Sequence, residues 1–294
     1  MSSAEKAALM LTELENYDLR ILQAIELGMI THETVPFEEI VKYSGLNEDE
    51  LEYRLGKLDR LELIWRQHEP YLGYIINYTA YDLLALNALV KGEVLEALGS
   101  SVGVGKEADV YEGFTPDKTR VAIKFHRLGR TSFRDTRRKR EYLADRRHIS
   151  WLYQSRLAAE NEYKALQLMF EAGVNVPKPI SQNRHTIVMS YIEGHQLSDV
   201  AFLDVPEEFL DDIIENVRIA YKAGVVHSDL SEYNVLVDNE AEVWIIDWPQ
   251  YITIDHPNSK ETLERDIRNI VYYFQRKFNS KRSIDDAISY VEGG

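Results

Sequence analysis

His227, Asp229 and Asn234 lie in the stretch "VVHSDLSEYNVLV", between two runs of Val and Leu that read as buried segments joined by a loop. An acid and an amide five residues apart suit phosphoryl transfer. Asp229 would take or orient the proton of an attacking hydroxyl or water, and the Asn234 amide oxygen would ligate magnesium. Thirteen residues further on, "VWIID" ends a strand with Asp247, a second carboxylate for that metal and the phosphates. Alone, each acid is an ordinary turn or cap residue. In this order and spacing they define one site.

The residues that would hold a nucleotide come earlier. In "SSVGVGKEADVYEG", Gly103 and Gly105 precede an alternating strand pattern, so bare backbone can approach a phosphate, with Ser101 and Lys106 over it. A Walker A loop is excluded, because Ser100 replaces its first glycine and Glu107 follows Lys106. "VAIKF" sets Lys124 on a β-branched strand, the pattern that brings a lysine to nucleotide phosphates. A helix carboxylate must hold that lysine. In "SRLAAENEYKALQLMFEAG" Glu162 is preferred because Leu166 shares its face, with Leu157 and Met169 also inward, and Glu160 stays open. "NVPKPISQNRHTIVMSYIEG" gives Pro-marked turns, a strand through Met189 and an exit at Gly194, suited to adenine pairing with backbone. Val110, Ala122, Met189, Ser190 and Ile192 complete the expected nucleotide set, for ATP with Mg2+, or Mn2+ in its place.

Elements must position these groups. Residues 4–27 place Leu14, Tyr17, Ile21, Ala24 and Ile25 on one helical face, ended by Gly28. "FEEIVKYSG" turns Phe37, Ile40 and Val41 inward; Asn47 caps a third helix that buries Leu51, Leu55 and Leu58. "LIWRQ" and "YIINYT" then form a hairpin, so residues 1–80 read as a winged helix-turn-helix. Its third helix is rich in acids, with only Arg54, Lys57 and Arg60 against them, which is poor for DNA. Residues 81–98 read as a connecting helix, and a second domain begins at 99.

The motifs "GVGKEADVY", "VAIKFHRLGRTSFR", "HSDLSEYNVLV" and "IIDWPQ" resemble the RIO atypical protein kinases over essentially the whole chain, and the winged-helix front end is similar to their Rio-two subfamily, with an archaeal size. The resemblance implies an α+β fold: a winged helix, then a truncated two-lobed kinase domain over 99–294, with its N-lobe to about 189 and a hinge near 190–194. It implies a serine/threonine kinase and ATPase acting on pre-small-subunit ribosomal particles, on a protein serine or on itself. Departures from ordinary kinases matter for mechanism. Ala108 replaces the third loop glycine, "DWP" replaces D-F-G, Ser228 replaces the loop arginine, and no A-P-E follows. Water or Asp247 could then serve as phosphoryl acceptor. A small-molecule kinase is the competing enzyme reading, which the first 80 residues and the basic segment oppose. An ATP-gated binding factor is the competing non-enzyme.

Residues 126–148 hold nine Arg or Lys against three acids, in a chain whose formal net charge is -15. That makes Arg127, Arg130, Arg134, Arg137, Arg138, Lys139, Arg140, Arg146 and Arg147 candidates for rRNA phosphates. Phe133, Tyr142 and Trp151 could stack on bases, and phosphorylation of Ser132 would weaken the contact. A 45% hydrophobic content supports a packed core, and the absence of cysteine excludes disulfides and Cys-ligated metals. No signal peptide or membrane span is apparent in the sequence, so a cytoplasmic monomer is expected.

Overall fold

The computed structural model describes residues 1–68, 71–128 and 151–293, which pack as two compact units. The first holds residues 1–119 and 183–186 with the described residues of 123–157; the second holds 120–122, 158–182 and the chain from 187 onward. Among the described residues, no helix is long and apolar enough to cross a membrane.

The first unit opens with α1 (Ser3–Met10), where Ser2 and Glu5 each accept the other's N–H in a capping box. The single helix expected over 4–27 is in fact two, because a second start signal follows. Asp18 accepts the N–H of Glu15 at 3.0 Å and begins α2 (Asn16–Gly28). The break turns Tyr17 outward, 48% exposed and under the Arg54 guanidinium, while Ile21, Ala24 and Ile25 stay in the core. Leu14 is only half-buried. After β1 (Val35–Pro36), α3 (Phe37–Ser44) buries Ile40 fully but Phe37 and Val41 only partly, and it stops at Gly45, whose φ of 62° favours glycine. Asn47 accepts the Glu50 N–H at 2.9 Å to start α4 (Glu48–Arg60). Its Leu51, Leu55 and Leu58 are at most 1% exposed, each contributing about 1.5–3 kcal/mol by burial. Strands β2 (Ile64–Gln67) and β3 (Gly73–Ile76) form the antiparallel wing, and β1 pairs with β3 on its other edge.

Helix α5 (Tyr78–Lys91), capped by Asn77, is buried over most of its length, Tyr81 to Leu86 included. It ends at Lys91 instead of running to Leu98, because Gly92 caps it and Glu93 takes a left-handed φ of 55°. Residues 97 and 98 already belong to β4 (Ala97–Val104), which pairs antiparallel with β5 (Ala108–Phe114) through two register shifts. β6 (Arg120–His126), α6 (Trp151–Ala172), β7 (Pro179–Asn183) and β8 (Thr186–Ser190) follow, and the sheet runs β4-β5-β6-β8-β7. In β6 every side chain after Arg120 is buried, as a strand covered on both faces requires.

The second unit contains β9 (Gly194–Gln196), α7 (Pro206–Lys222), β10 (Val225–Val226), β11 (Val235–Asp238), β12 (Val243–Ile245), β13 (Ile252–Thr253), α8 (Ser259–Phe278) and α9 (Ile284–Glu292). The helices close around Ile213, Ile214, Ile267, Ile270 and Phe274, all 0% exposed. Two small sheets, β12-β11-β9 and β10-β13, bracket the loop that carries Asp229. Gly194 permits the first of them, since a Cβ there would stand 2.3 Å from the Val237 carbonyl.

Candidate active site

The loop between β10 and β11 is held from beneath. His227 is 5% exposed and its ring lies 4.4 Å from that of Trp248. Its Nδ1 accepts the Asp229 N–H at 3.2 Å, so the ring proton sits on Nε2 and is donated to the Ile246 carbonyl at 3.0 Å. Burial pushes this imidazole below its ordinary pKa, which keeps it neutral in that role. Ser228 is left-handed, with φ 68°, a conformation that costs a non-glycine residue about 1–2 kcal/mol. Three contacts hold it there: its N–H donates to Asp266 Oδ2 at 2.7 Å, its hydroxyl to the Gln250 carbonyl, and Arg265 donates to its carbonyl. The result is an Asp229 whose backbone is fixed and whose side chain is exposed.

Asn234 is 9% exposed and joined to the same loop. Its Nδ2 donates to the Asp229 carbonyl at 2.8 Å, and its own carbonyl receives the Ile246 N–H at 2.9 Å. With the amino group used, the amide oxygen is the atom left for a metal; Asn234 lies just before β11, and Asp247 stands two residues beyond the end of β12, whose expected last residue it was. Asp247 is half-buried with a left-handed φ of 70°. An amide oxygen and a carboxylate are the hard donors that magnesium or manganese takes, so the residues present fit such an ion. Trp248, 1% exposed, donates Nε1–H to the Ile245 carbonyl at 3.1 Å, which fixes the residue that stands where ordinary kinases carry their mobile phenylalanine.

Sequence reasoning missed Asp266. It sits on α8, 1% exposed, and burial raises its carboxyl despite the opposing pull of His227, the Ser228 N–H and Arg265. Its partner is a main-chain N–H 38 residues away, which no local pattern encodes.

The nucleotide candidates fall as follows. Ser101, Gly103, Gly105 and Lys106 are exposed on the β4–β5 hairpin; a Cβ on Gly103 would meet nothing within 4 Å, so the backbone there is open to a ligand. Val110 is half-buried on β5, and Ala122 and Lys124 are buried on β6, at 9% and 6% exposure. On α6, Glu162 is buried at 1% with Leu166 beside it in the core, whereas Glu160 is half-buried. Leu157, expected inward, is 38% exposed; it lies off the stripe formed by Ala159, Glu162, Leu166 and Met169. Met189 is buried at the end of β8, and Ser190 and Ile192 are half-buried beyond it. The Ser190 N–H donates to the Lys178 carbonyl at 2.9 Å.

The expectation for Arg127 is also overturned. Arg127 does not face solvent with the basic run; it is 1% exposed and paired with Asp82 and Asp109, which removes it from any RNA surface. Trp151 is described, at 36% exposure, while Arg130, Ser132, Phe133, Arg134, Arg137, Arg138, Lys139, Arg140, Tyr142, Arg146 and Arg147 lie outside the described residues.

Known proteins resemble this chain over most of its length. A model of the RIO domain matches residues 109–287 and one of the Rio2 N-terminal region matches residues 11–92. The RIO-type serine/threonine-protein kinase Rio2 of Methanocaldococcus jannaschii is 42% identical over 269 residues, 88% of this chain and 98% of that one. The serine/threonine-protein kinase rio2 of Dictyostelium discoideum is 37% identical over 89% of this chain, which spans about half, 50%, of that relative. The crystal structure of the Rio2 kinase-ADP/Mg2+-phosphoaspartate complex from Chaetomium thermophilum matches with a TM-score of 0.84 at 33% identity, covering 98% of this chain and 89% of that one.

Proposed function

The chain belongs to the RIO kinase family, in its Rio2 branch, and on that premise we propose an ATP- and magnesium-dependent serine/threonine kinase and ATPase acting in maturation of the small ribosomal subunit. The observation that carries the chemistry is the loop of residues 227–234, whose backbone is bonded at nearly every turn while Asp229 projects into solvent. Such rigidity under an exposed carboxylate is what a positioned proton acceptor needs. On this reading Asp229 receives the proton of the attacking serine hydroxyl or water. Lys124, held by Glu162, aligns the phosphates, with Ser101, Gly103, Gly105 and Lys106 over them. Val110, Ala122, Met189, Ser190 and Ile192 surround the base. Asn234 and Asp247 would hold the metal, which would supply positive charge against that of the phosphates.

The phosphoaspartate of the Chaetomium relative supports a second route. An aspartate oxygen, assigned here to Asp247, attacks the γ-phosphorus and ADP leaves. Water then opens the aspartyl phosphate, releasing inorganic phosphate and restoring the carboxylate. Turnover by this route would time release from a pre-small-subunit particle, which the basic segment apart from Arg127 engages through rRNA phosphates.

The deciding experiment follows label from γ-32P-ATP with purified protein, alone and with pre-small-subunit particles, for the wild type and Asp229→Ala. Particle-stimulated free phosphate that Asp229→Ala abolishes supports an ATPase release switch, and stable label on a serine supports a protein kinase. Nucleotide binding that controls docking with no turnover in either protein would leave an ATP-gated binding factor instead.

A further inference from the structure

Arg127 follows directly on the strand of Lys124 and is fully enclosed. Its Nη1 and Nη2 donate to the two carboxylate oxygens of Asp82 on α5 at 2.5 and 2.8 Å, and its Nε donates to Asp109 Oδ2 at 3.0 Å. His185 Nε2 lies 2.7 Å from Asp82 Oδ1, and the imidazole stacks on Tyr81 with centroids 4.5 Å apart. Burial opposes the charge on Asp82, yet Arg127 and His185 hold its carboxyl below the ordinary range.

The main chain of the same residue reaches the glycine-rich turn. The Arg127 N–H donates to the Glu107 carbonyl at 2.6 Å, and Asp109 pairs with Val104 at the foot of that turn. One residue therefore grips the turn at its tip through backbone and at its foot through side chain, and fastens both to α5. Stability alone does not explain charge in this place, since apolar replacement of a buried ion cluster is often neutral or stabilising. A planar fork between two carboxylates fixes distance and direction, which apolar packing does not.

We propose that Arg127, with Asp82 and Asp109, is a positioning group that sets the glycine-rich turn at the height nucleotide phosphates require, making α5 part of the frame of the nucleotide site. This rests on the phosphoryl-transfer reading above.

Arg127→Lys keeps the charge but cannot make the bidentate pair and the third bond together, and Asp109→Asn is a milder change at the other end. Both should raise the KM for ATP and the Kd for a non-hydrolysable ATP analogue, Arg127→Lys by roughly 10-fold or more, with kcat at saturating ATP nearly unchanged. Arg54→Lys breaks a second ion cluster, in which Arg54 and Asp18 are buried while Glu15 is exposed and Glu50 half-buried, and which does not touch the turn. It should lower the melting temperature and leave KM alone. A folded Arg127→Lys with wild-type KM overturns the proposal, as does an equal rise in Arg54→Lys; if Arg127→Lys does not fold, Asp109→Asn decides in the same way. A wild type that binds the analogue while the variants show no shift refutes this inference alone. A wild type that neither binds nor turns over ATP refutes the underlying reading and this one with it.

Discussion

Asp266→Ala isolates the hold on the catalytic loop. The substitution removes the acceptor of the Ser228 N–H, a bond of 2.7 Å, while the Ser228 hydroxyl and Arg265 contacts remain. A buried N–H left without a partner costs about 1–3 kcal/mol. The left-handed Ser228 stores about 1–2 kcal/mol that the lost bond had helped offset. Together these come to about 2–5 kcal/mol, of which the two contacts that remain offset about 1–2, so a rotated peptide is favoured by about 1–3 kcal/mol, which at 1.4 kcal/mol per tenfold leaves roughly 1–20% of molecules with Asp229 in place. Steady-state ATP turnover at saturating nucleotide should therefore fall about 5- to 100-fold, with ADP affinity by calorimetry unchanged. Asp266→Asn keeps an oxygen acceptor and should recover most of the rate. A kcat within threefold of wild type in a well-folded Asp266→Ala would show that the bond does not position Asp229.

Asp247→Ala should weaken nucleotide binding in magnesium far more than in EDTA, because the carboxylate acts through the metal; equal losses in both would remove it from the metal site. Acid should destabilise the first unit. Burial pushes His185 down to about 4 from 6.5, so between those values the unfolded chain binds the extra proton and stability falls as pH falls, by up to about 3 kcal/mol. His185→Gln should flatten urea midpoints between pH 6.5 and 4.5, and an unaltered slope would contradict the assignment. His227 is lowered in the same direction, so the second unit too should lose stability as pH falls. Replacing Arg137, Arg138 and Arg140 with Glu should make the salt dependence of rRNA binding shallower by about three in log–log slope, and an unchanged slope would return the segment to solvent.

The candidate site was legible in the sequence because it is local: a metal and a proton acceptor demand fixed residue types at fixed spacing, and Asp229, Asn234 and Asp247 offer them within one loop and the residues that follow β12. The preference for Glu162 over Glu160 followed from helical periodicity, and Glu162 is the buried one. Long-range pairing was not legible. Arg127 reads as part of a basic run, since its partners Asp82 and Asp109 stand 45 and 18 residues away. The break between α1 and α2 did have a local sign, Glu15 with Asp18, that the continuous apolar spacing outweighed. In α4, two of the three basic residues counted toward a nucleic-acid surface are committed inside the unit, Arg54 and Lys57 both binding Asp18.

The cluster around Arg127 also bears on how such a chain can change over evolutionary time. Sequence families divide it near residue 92, one match ending there and the next beginning at 109, as though two modules had been joined. The side chains do not respect that seam: Asp82 answers Arg127 across it, and Tyr111 donates to Ser2 at 2.7 Å from the far side. A recombination that exchanged the front module would strand a buried cation beside Asp109 unless position 82 arrived with an acid already in place. An exchange of the N-terminal segment is thus expected to require matching changes at 82, 109, 127 and 185.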